Sequence, residues 1–194
     1  MRNTHLDLID RLKKLYKYLR DEMWSKKNRE LPLDELIFDR WEKARRLGFG
    51  KGTSVYHNSY IYGNVKVGEN TWIGPFTVLD GEGILEIGDS CSISSGVQIY
   101  THNSAKWAIS GGKEFYEKKT VKIGNCCFIG ANSVIKDGVS IGDHSVVGAC
   151  SFVNKEIPPY SIVVGTPAKI VGNVVVDDKG NISFKYNKEQ PAIQ

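Results

Sequence analysis

Four histidines occur in the chain, and His102 is the one whose setting favours chemistry. An imidazole ordinarily titrates near neutrality, so a histidine suits the movement of a proton to or from a reacting group. His102 stands near the start of residues 100–120, a charged stretch with a Gly111-Gly112 pair that interrupts a regular pattern on either side. A long loop that leaves a rigid repeat is usually functional, although a tolerated insertion is the alternative. The pattern therefore favours a functional role for His102, whose side chain suits proton transfer, and gives the other three histidines no comparable setting.

Four cysteines are the other candidate nucleophiles, and none forms a C-x-x-C pair. Their number and the chain length do not suggest a small disulfide scaffold, so we expect reduced thiols in a cytoplasmic protein. Cys126 and Cys127 follow the loop closely, so a covalent route through one of them stays open. Adjacent residues on a strand point to opposite faces, so at most one of the pair can face a groove beside His102.

An aliphatic residue recurs every six positions through most of the chain. Three such hexads make one triangular coil, with the aliphatic side chain inward and glycine or small polar residues at the corners. Each coil buries its apolar side against the next, so the stack is quasi-one-dimensional. The fourteen hexads predict about five coils of parallel β-helix, with a slip before Ile87 and an external loop at residues 100–120. The repeat positions are Val55, Ile61, Val67, Ile73, Leu79, Ile87, Ile93, Ile99, Ile123, Ile129, Ile135, Ile141, Val147 and Val153.

The two ends of the chain do not follow the hexad. Residues 4–47 favour a helical hairpin, whose first helix carries a leucine stripe and whose second begins near Pro32. That apolar stripe needs burial, on the main domain or on a neighbouring subunit. Residues 174–186 predict a β-hairpin around a turn at 177–180. The chain therefore divides into a helical segment (1–50), a β-helix (51–172) and a C-terminal hairpin or tail (173–194).

Charge and hydropathy exclude two classes of partner. The formal net charge of +4 is small and is not gathered into a basic stripe, so nucleic-acid binding is not expected. No stretch approaches the about 20 apolar residues that a membrane span needs. The modest positive charge suits an anionic small molecule such as a cofactor phosphate.

The hexads, the His102 loop and three further segments closely resemble the hexapeptide-repeat acyltransferases. These segments are residues 129–135 (IGANSVI), 147–151 (VGACS) and 155–169 (KEIPPYSIVVGTPAK). The nearest branch is that of galactoside, maltose and xenobiotic acetyltransferases and of sugar acetyltransferases of bacterial surface glycans. The resemblance covers residues 55–172. It implies a left-handed coil, a homotrimer with active sites between subunits, and acetyl-CoA lying along the groove between two prisms.

The resemblance also assigns roles along that groove. It places the general base at His102 and an oxyanion-binding backbone N–H at Ala131, since a backbone donor needs no polar side chain. Ala149, at the equivalent corner one coil later, would contact the pantetheine arm. Lys155 and Lys169 would bind the coenzyme A phosphates. Thr166 and Pro167 would shape the adenine end.

Three residues are candidates for the acceptor site. Asp80 matches by position the acidic residue that holds a sugar hydroxyl in the galactoside branch, although Asp80-Gly81 could equally form a plain turn. Asn103 follows the base, where some relatives carry an acid, so a carboxylate that supports the base must come from elsewhere. Trp107 could stack on a sugar or a base, or pack against a neighbouring subunit.

The sequence thus predicts an acetyl-CoA-dependent acetyltransferase that acts on an amino or hydroxyl group of a sugar, by direct transfer in a ternary complex. A non-sugar small acceptor is the nearer alternative. A γ-class carbonic anhydrase has the same fold but needs three zinc-binding histidines, and His102 has no histidine partner near it in sequence, so no metal site is expected. A non-catalytic β-helix scaffold is disfavoured by the His102 loop and the lysines of the last coil.

Overall fold

The computed structural model describes residues 2–187. The helices are α1 (Arg2–Lys27), α2 (Leu33–Ile37), α3 (Arg40–Arg46) and α4 (Ala105–Ile109). The strands are β1 (Ser54–Val55), β2 (Tyr60–Val67), β3 (Trp72–Ile73), β4 (Val78–Ile87), β5 (Ser92–Ile93), β6 (Gln98–Ile99), β7 (His102–Asn103), β8 (Glu117–Lys118), β9 (Val121–Ile123), β10 (Phe128–Ile129), β11 (Val134–Ile135), β12 (Ser140–Ile141), β13 (Val146–Val147), β14 (Phe152–Val153), β15 (Ser161–Val164), β16 (Lys169–Val176) and β17 (Ile182–Tyr186). No helix within residues 2–187 is long and apolar enough to cross a membrane.

The strands stack as a three-sided parallel β-helix, as the hexads predict. Side 1 is built from β1, β3, β5, β10, β13 and β15. Side 2 combines the first parts of β2 and β4 with β6, β11 and β14, and side 3 combines their second parts with β9 and β12. Side 1 has six levels, so the β-helix predicted from the hexads is confirmed, with one level more on this side than the predicted five coils.

The aliphatic hexad positions form the core. Thirteen of the fourteen are buried, and most are at or near zero exposure. Ile61, in the first coil, is half-buried and packs against this core. The in-register pairing explains the stacking, because residues such as Ile129 and Val147 are direct Cα partners on neighbouring coils. Burial of this column is the main stabilising contribution of the domain.

All departures from the hexad lie at one corner, between sides 2 and 3, which we call the histidine corner. In the first coil Tyr62 turns this corner, in the second the slip at residues 80–84 widens it, and in the third residues 100–120 leave the coil. Thr101 and Lys119 close the base of that excursion, where the Lys119 N–H donates to the Thr101 carbonyl at 2.8 Å. The predicted external loop is confirmed, and it contains the antiparallel pair β7–β8 and the helix α4.

The second N-terminal helix differs from the prediction, since it is broken into α2 and α3. Phe38 is extended, and Asp39 accepts a hydrogen bond from the Trp41 N–H to begin α3. The break turns α3 onto the first coil, where the Lys43 ammonium donates to three backbone carbonyls of residues 56–59. Leu8, Leu12 and Leu15 of the leucine stripe of α1 stay exposed within one chain, so the coil does not cover this part of the stripe.

The C-terminal hairpin forms as the sequence predicts, with β16 and β17 antiparallel around Asp177–Gly180. Its first strand is longer than predicted. It begins at Lys169, within the segment (51–172) predicted to belong to the β-helix, and pairs antiparallel with β15. The hairpin therefore continues side 1 beyond the last coil.

Candidate active site

A cavity of about 420 Å³ opens at the histidine corner. It spans three stacked coils, because its walls come from the corner of the first coil, from the slip of the second and from the excursion of the third. The residues that line it are Tyr62, Asp80, Glu82, His102, Tyr116 and Lys118. Its volume lies in the range of small-molecule sites, about 300–1,000 Å³.

His102 and Asp80 form an ion-pair-like contact at the bottom of this cavity. The His102 Nδ1 lies 2.6 Å from Asp80 Oδ2, and the Asp80 side chain is only 2% exposed against 33% for His102. The same Oδ2 accepts the Thr101 N–H at 2.8 Å, and Oδ1 accepts the Glu82 N–H at 2.9 Å. The carboxylate thereby fixes the histidine ring and both chain segments that carry the cavity.

These contacts also set the charge of Asp80. Burial raises the pKa of the Asp80 carboxyl, but the hydrogen bonds from the Glu82 and Thr101 N–H groups and from His102 together outweigh burial and hold that pKa below its usual range. An ionised carboxylate can only accept, so His102 Nδ1 must donate. The neutral imidazole then carries its lone pair on Nε2, the atom that a general base needs.

Asp80 therefore stands where a carboxylate that supports the predicted base would lie, a residue that the sequence left unassigned. The sequence placed Asp80 against an acceptor hydroxyl. In the structure its side chain is almost fully buried and its oxygens face the histidine and two backbone donors, which favours orientation of the base over direct contact with an acceptor.

The slip and the excursion fit together through Gly83. Its N–H donates to Thr101 Oγ1 at 2.8 Å, and its carbonyl accepts from Thr120 Oγ1 at 3.1 Å. A Cβ at Gly83 would lie 2.4 Å from the Thr101 carbonyl oxygen and 2.8 Å from the Lys119 nitrogen. Only glycine allows this approach, and the approach sets the height of His102 above Asp80.

Tyr116 and Lys118 face the cavity because of strand geometry. His102 is the direct cross-strand partner of Lys118, and directly opposed residues present their side chains on one face. Tyr116 lies two residues earlier, on the same face, and its ring centroid is 6.0 Å from that of His102. Lys118 Nζ reaches Glu82 Oε2 at 2.9 Å and so bridges the excursion to the slip.

Two predicted acceptor residues lie elsewhere. Asn103 pairs with Glu117 on the opposite face of the β7–β8 ribbon, and its Oδ1 accepts the Ala105 N–H at the start of α4. Trp107 packs edge-on against Tyr116 with ring centroids 5.5 Å apart. It lines a neighbouring cavity of about 370 Å³ on the excursion rather than the one beside His102.

The predicted cofactor residues gather at a different corner, between sides 1 and 2, which we call the alanine corner. The Ala131 carbonyl accepts the Cys150 N–H at 2.8 Å, and the Cys150 carbonyl accepts from Thr166 Oγ1 at 3.2 Å. Ala131, Ala149 and Thr166 thus follow one another up the prism. Among the described residues, no acceptor lies in hydrogen-bond reach of the Ala131 or Ala149 N–H.

The remaining cofactor candidates, Pro167, Lys169 and Lys155, lie near the C-terminal end of the β-helix. Pro167 lies in the exposed turn between β15 and β16, and exposed Lys169 begins β16. Lys155 is also exposed but lies on the histidine corner, two coils after the excursion. Within residues 2–187 neither lysine has a carboxylate partner at ion-pair distance.

In one chain the base and the predicted oxyanion donor are far apart. His102 and Ala131 belong to different corners, and one side of the prism separates these corners. A side of six nearly extended residues is about 20 Å long. His102 and Ala131 of a single chain therefore stand at opposite ends of one side, which is too far apart for both to act on one thioester.

Cys126 and Cys127, the two thiols nearest the excursion in sequence, do not resemble activated nucleophiles. Cys127 is buried, and its contact with Cys91 and its burial raise the pKa of its thiol far above the usual range. Cys126 is exposed at the corner between sides 3 and 1, and burial raises the pKa of its thiol as well. A nucleophilic cysteine needs a lowered pKa, so neither thiol suits a covalent route.

Fold and site together define a β-helix transferase with an oriented imidazole, and comparisons with known proteins agree. Residues 120–155 match the family described as bacterial transferase hexapeptide (six repeats). A hexapeptide-repeat acetyltransferase of Vibrio cholerae is 30% identical, with 85% of this chain and 92% of that chain covered and a TM-score of 0.62. The chain therefore belongs to the hexapeptide-repeat acetyltransferases, which confirms the resemblance in the repeats.

Two further relatives carry sugar substrates in their names. The galactoside O-acetyltransferase of Escherichia coli K12 is 32% identical over 136 residues, 69% of this chain and 66% of that protein, just under two thirds of its length. The structure of a maltose O-acetyltransferase from Clostridium difficile is 30% identical, covers 84% of both chains and gives a TM-score of 0.60. The Vibrio cholerae acetyltransferase is also known in complex with acetyl-CoA, at 32% identity and a TM-score of 0.62.

The sequence did not identify Tyr62, Glu82 and Lys118 as cavity residues. Tyr62 had a detectable signal, because it lies 18 residues, or three hexads, before Asp80 and is its direct partner on the coil below. Glu82 and Lys118 had none, since both lie in segments that leave the hexad.

Proposed function

We propose that this protein transfers an acetyl group from acetyl-CoA to a hydroxyl or amino group of a sugar, with His102 as general base. The observation that carries the proposal is the His102–Asp80 pair at the bottom of a three-coil cavity. It is supported by relatives whose names specify galactoside and maltose O-acetylation.

The proton transfer follows from the tautomer. With Nδ1 donating to Asp80, His102 Nε2 accepts the proton of the acceptor as its oxygen or nitrogen attacks the thioester carbonyl. The imidazolium that forms is stabilised by the buried Asp80 carboxylate. When the tetrahedral intermediate collapses, the C–S bond breaks and the imidazolium gives its proton to the coenzyme A thiolate, which leaves as a thiol. Direct transfer in a ternary complex needs no protein nucleophile, in line with the raised pKa values of the Cys126 and Cys127 thiols.

The alanine corner suits the thioester and the pantetheine arm. The Ala131 N–H would donate to the oxyanion, and the Ala149 N–H to an amide of the arm. Both donors lack a partner within the described residues, and both side chains are small enough for close approach. Lys155 and Lys169 would bind phosphate as point charges near Thr166 and Pro167.

We further propose that the protein acts as a homotrimer with its sites between subunits. A whole side of the prism separates His102 from Ala131 in one chain, so a site that uses both needs them from two chains. A second chain beside the histidine corner would also offer a partner to the exposed excursion.

His102→Ala tests the proposal. We expect kcat for acetyl transfer to a methyl hexopyranoside to fall about 10²–10⁴-fold, because general-base catalysis contributes that much, while the dissociation constant for acetyl-CoA measured by calorimetry stays nearly unchanged. Cys126→Ala should keep its turnover, since that thiol lies at another corner. Near-normal turnover by His102→Ala would remove the residue from the mechanism.

A further inference from the structure

A second buried carboxylate lies above the base of the excursion. Asp137 lies two residues after Ile135, which is the direct partner of Ile99 on the coil below. Thr101 lies two residues after Ile99, so Asp137 stands one coil above Thr101 at the histidine corner. The Asp137 side chain is 4% exposed, and within residues 2–187 its buried Oδ2 takes part in no hydrogen bond. A buried carboxylate is costly unless a cation neutralises it, so the cations that face Asp137 indicate its role.

Two lysines lie at ion-pair distance from this carboxylate, and they belong to different parts of the chain. Lys136 Nζ lies 3.3 Å from Oδ1 and comes from the coil itself. Lys119 Nζ lies 3.5 Å from Oδ2 and comes from the end of the excursion. The stem of Lys119 lies along Gly138, whose φ is 79° and where an added Cβ would be 3.1 Å from Lys119 Cδ. Asp137 thus ties the excursion to the fourth coil, whereas its contact with Lys136 stays within that coil.

The other side-chain anchors of the returning limb lie on the second coil. Lys118 pairs with Glu82 at 2.9 Å, but both side chains are nearly half exposed, and exposed ion pairs contribute little. Thr120 Oγ1 donates to the Gly83 carbonyl at 3.1 Å. Asp137 holds the same limb from the opposite direction, and its desolvated carboxylate is less screened by solvent.

The returning limb matters to the base because it forms β8. The β7–β8 ribbon has two residue pairs, and in one of them His102 is the direct partner of Lys118. The Lys119 N–H donates to the Thr101 carbonyl at 2.8 Å, so the two limbs are also joined at their base. Asp80 holds the imidazole and the Thr101 N–H from the coil below. The backbone of His102 is therefore fixed from two directions, by Asp80 from below and through β8 from above.

From this arrangement we infer that Asp137 is a positioning residue for acetyl transfer. Through Lys119 it holds β8, and with it the backbone of His102, at the height where Asp80 orients the imidazole. Asp137 acts through this chain of contacts and touches no reacting atom. The inference rests on the proposed acetyl transfer with His102 as base.

Kinetics of the full-length enzyme with acetyl-CoA and a methyl hexopyranoside test the inference. Asp137→Asn should lower kcat about tenfold, because a catalytic group that is loosely held loses effective concentration, while KM for acetyl-CoA stays within about twofold. Lys119→Met should lower kcat by about the same factor. The double variant should be no worse than either single one, since both changes remove the same contact. Lys119→Arg keeps a cation on a long stem and should keep most of the wild-type kcat.

Lys136→Met is the matched control, because it removes the other cation from the same carboxylate but leaves the excursion untouched. Its kcat should stay within about twofold of the wild-type value. Equal losses of kcat in Lys136→Met and Lys119→Met would mean that charge near the site, and not the hold on the excursion, sets the rate. The inference would then fail.

A second control separates positioning from general loss of stability. The Glu35 side chain is 1% exposed, and its Oε2 lies 4.0 Å from Arg40 Nε, beneath the first coil. Glu35→Gln thus changes a comparable buried carboxylate away from the excursion. It should lower the melting temperature and keep its kcat. If Asp137→Asn behaves in the same way, Asp137 only stabilises the fold and is not a positioning residue.

Hydrogen exchange followed by mass spectrometry gives a measurement that needs no acceptor. In Asp137→Asn and Lys119→Met, amides of residues 102–118 should exchange about tenfold faster than in the wild type, while those of the coil at 121–165 keep their rates. Unchanged exchange in the excursion would overturn the inference. If the wild type acetylates only a non-sugar acceptor, the proposed sugar substrate fails, but the same kcat comparison applies to that acceptor. If it acetylates none, the proposed function fails, and the exchange rates still decide whether Asp137 holds the excursion.

Discussion

At the scale of single residues, the active site depends on a contact between positions 22 residues apart. The hexad predicts where Leu79 and Ile99 lie, since both are repeat positions, but not how far the chain extends beyond each. Asp80, one residue after Leu79, and His102, three residues after Ile99, come together because the slip and the excursion leave the coil at the same corner. Segments without the six-residue repeat give no prediction of where their side chains lie. The sequence could therefore identify Asp80 and His102 as candidate site residues, but not the contact between them.

Asp80→Asn tests that pairing. An amide cannot serve as a purely accepting partner for Nδ1, so the imidazole loses its fixed tautomer and the imidazolium loses its counter-charge. We expect kcat to fall by at least about 10-fold but by less than the loss expected for His102→Ala, with KM for acetyl-CoA unchanged. Equal kcat in Asp80→Asn and in the wild type would show that the carboxylate does not support the base.

The same variant tests how the contribution of Asp80 to the free energy of unfolding depends on pH. The pKa of Asp80 is lower in the folded protein than in the unfolded chain, where a carboxyl titrates near 3.9. Its stabilising contribution is therefore full above that value and is lost as the pH falls through the lower folded value. Urea unfolding of the wild type and Asp80→Asn should differ most at pH 7 and converge toward pH 3. A difference that grows on acidification would contradict the assigned charge.

At the scale of elements, the six-residue repeat predicts the strands of the three sides but not the structure of the chain ends. Thirteen buried hexad positions could be predicted from spacing alone, because each coil offers the same inward site. The N-terminal helices follow local caps and tertiary contacts instead. Helical periodicity joined α2 and α3, but the extended Phe38 and the Asp39 cap separate them. Tertiary docking of Lys43 on the first coil outweighs helix propensity there.

Gly83→Ala tests how the slip positions the excursion. The added Cβ meets the backbone of Thr101 and Lys119, neither of which can rotate away, so the excursion must lift from the coil. We expect kcat to fall at least tenfold and the melting temperature to fall by a few degrees. A misplacement of about 1 Å at a catalytic group has effects of this order.

Gly142→Ala is the matched control for that prediction. Its Cβ would lie 2.4 Å from the Pro159 nitrogen, a comparable clash at the corner between sides 3 and 1, away from the excursion. It should lower the melting temperature while the folded enzyme keeps its kcat. If both variants lose stability and neither loses kcat, the Gly83 contact does not position His102.

At the scale of the whole molecule, the separation of the two corners makes a prediction about assembly. Ala131→Pro removes the proposed oxyanion donor and little else, because Pro75 already stands at the equivalent corner position two coils earlier and its carbonyl makes the equivalent hydrogen bond. The fold should therefore persist, and kcat should fall about 10²–10³-fold. Ser95→Pro, at the same corner between those two coils, should keep its turnover.

Mixing His102→Ala with Ala131→Pro then tests whether sites lie between chains. In a ring of three subunits, a site is intact when one chain supplies its His102 and the next its Ala131 N–H. Every mixed trimer has one such site of three, so refolding equal amounts together should restore about a quarter of wild-type activity from two nearly inactive variants. Light scattering on the mixture should give three chains per particle. Sites within single chains would show no recovery at any ratio, because each chain would keep its own defect.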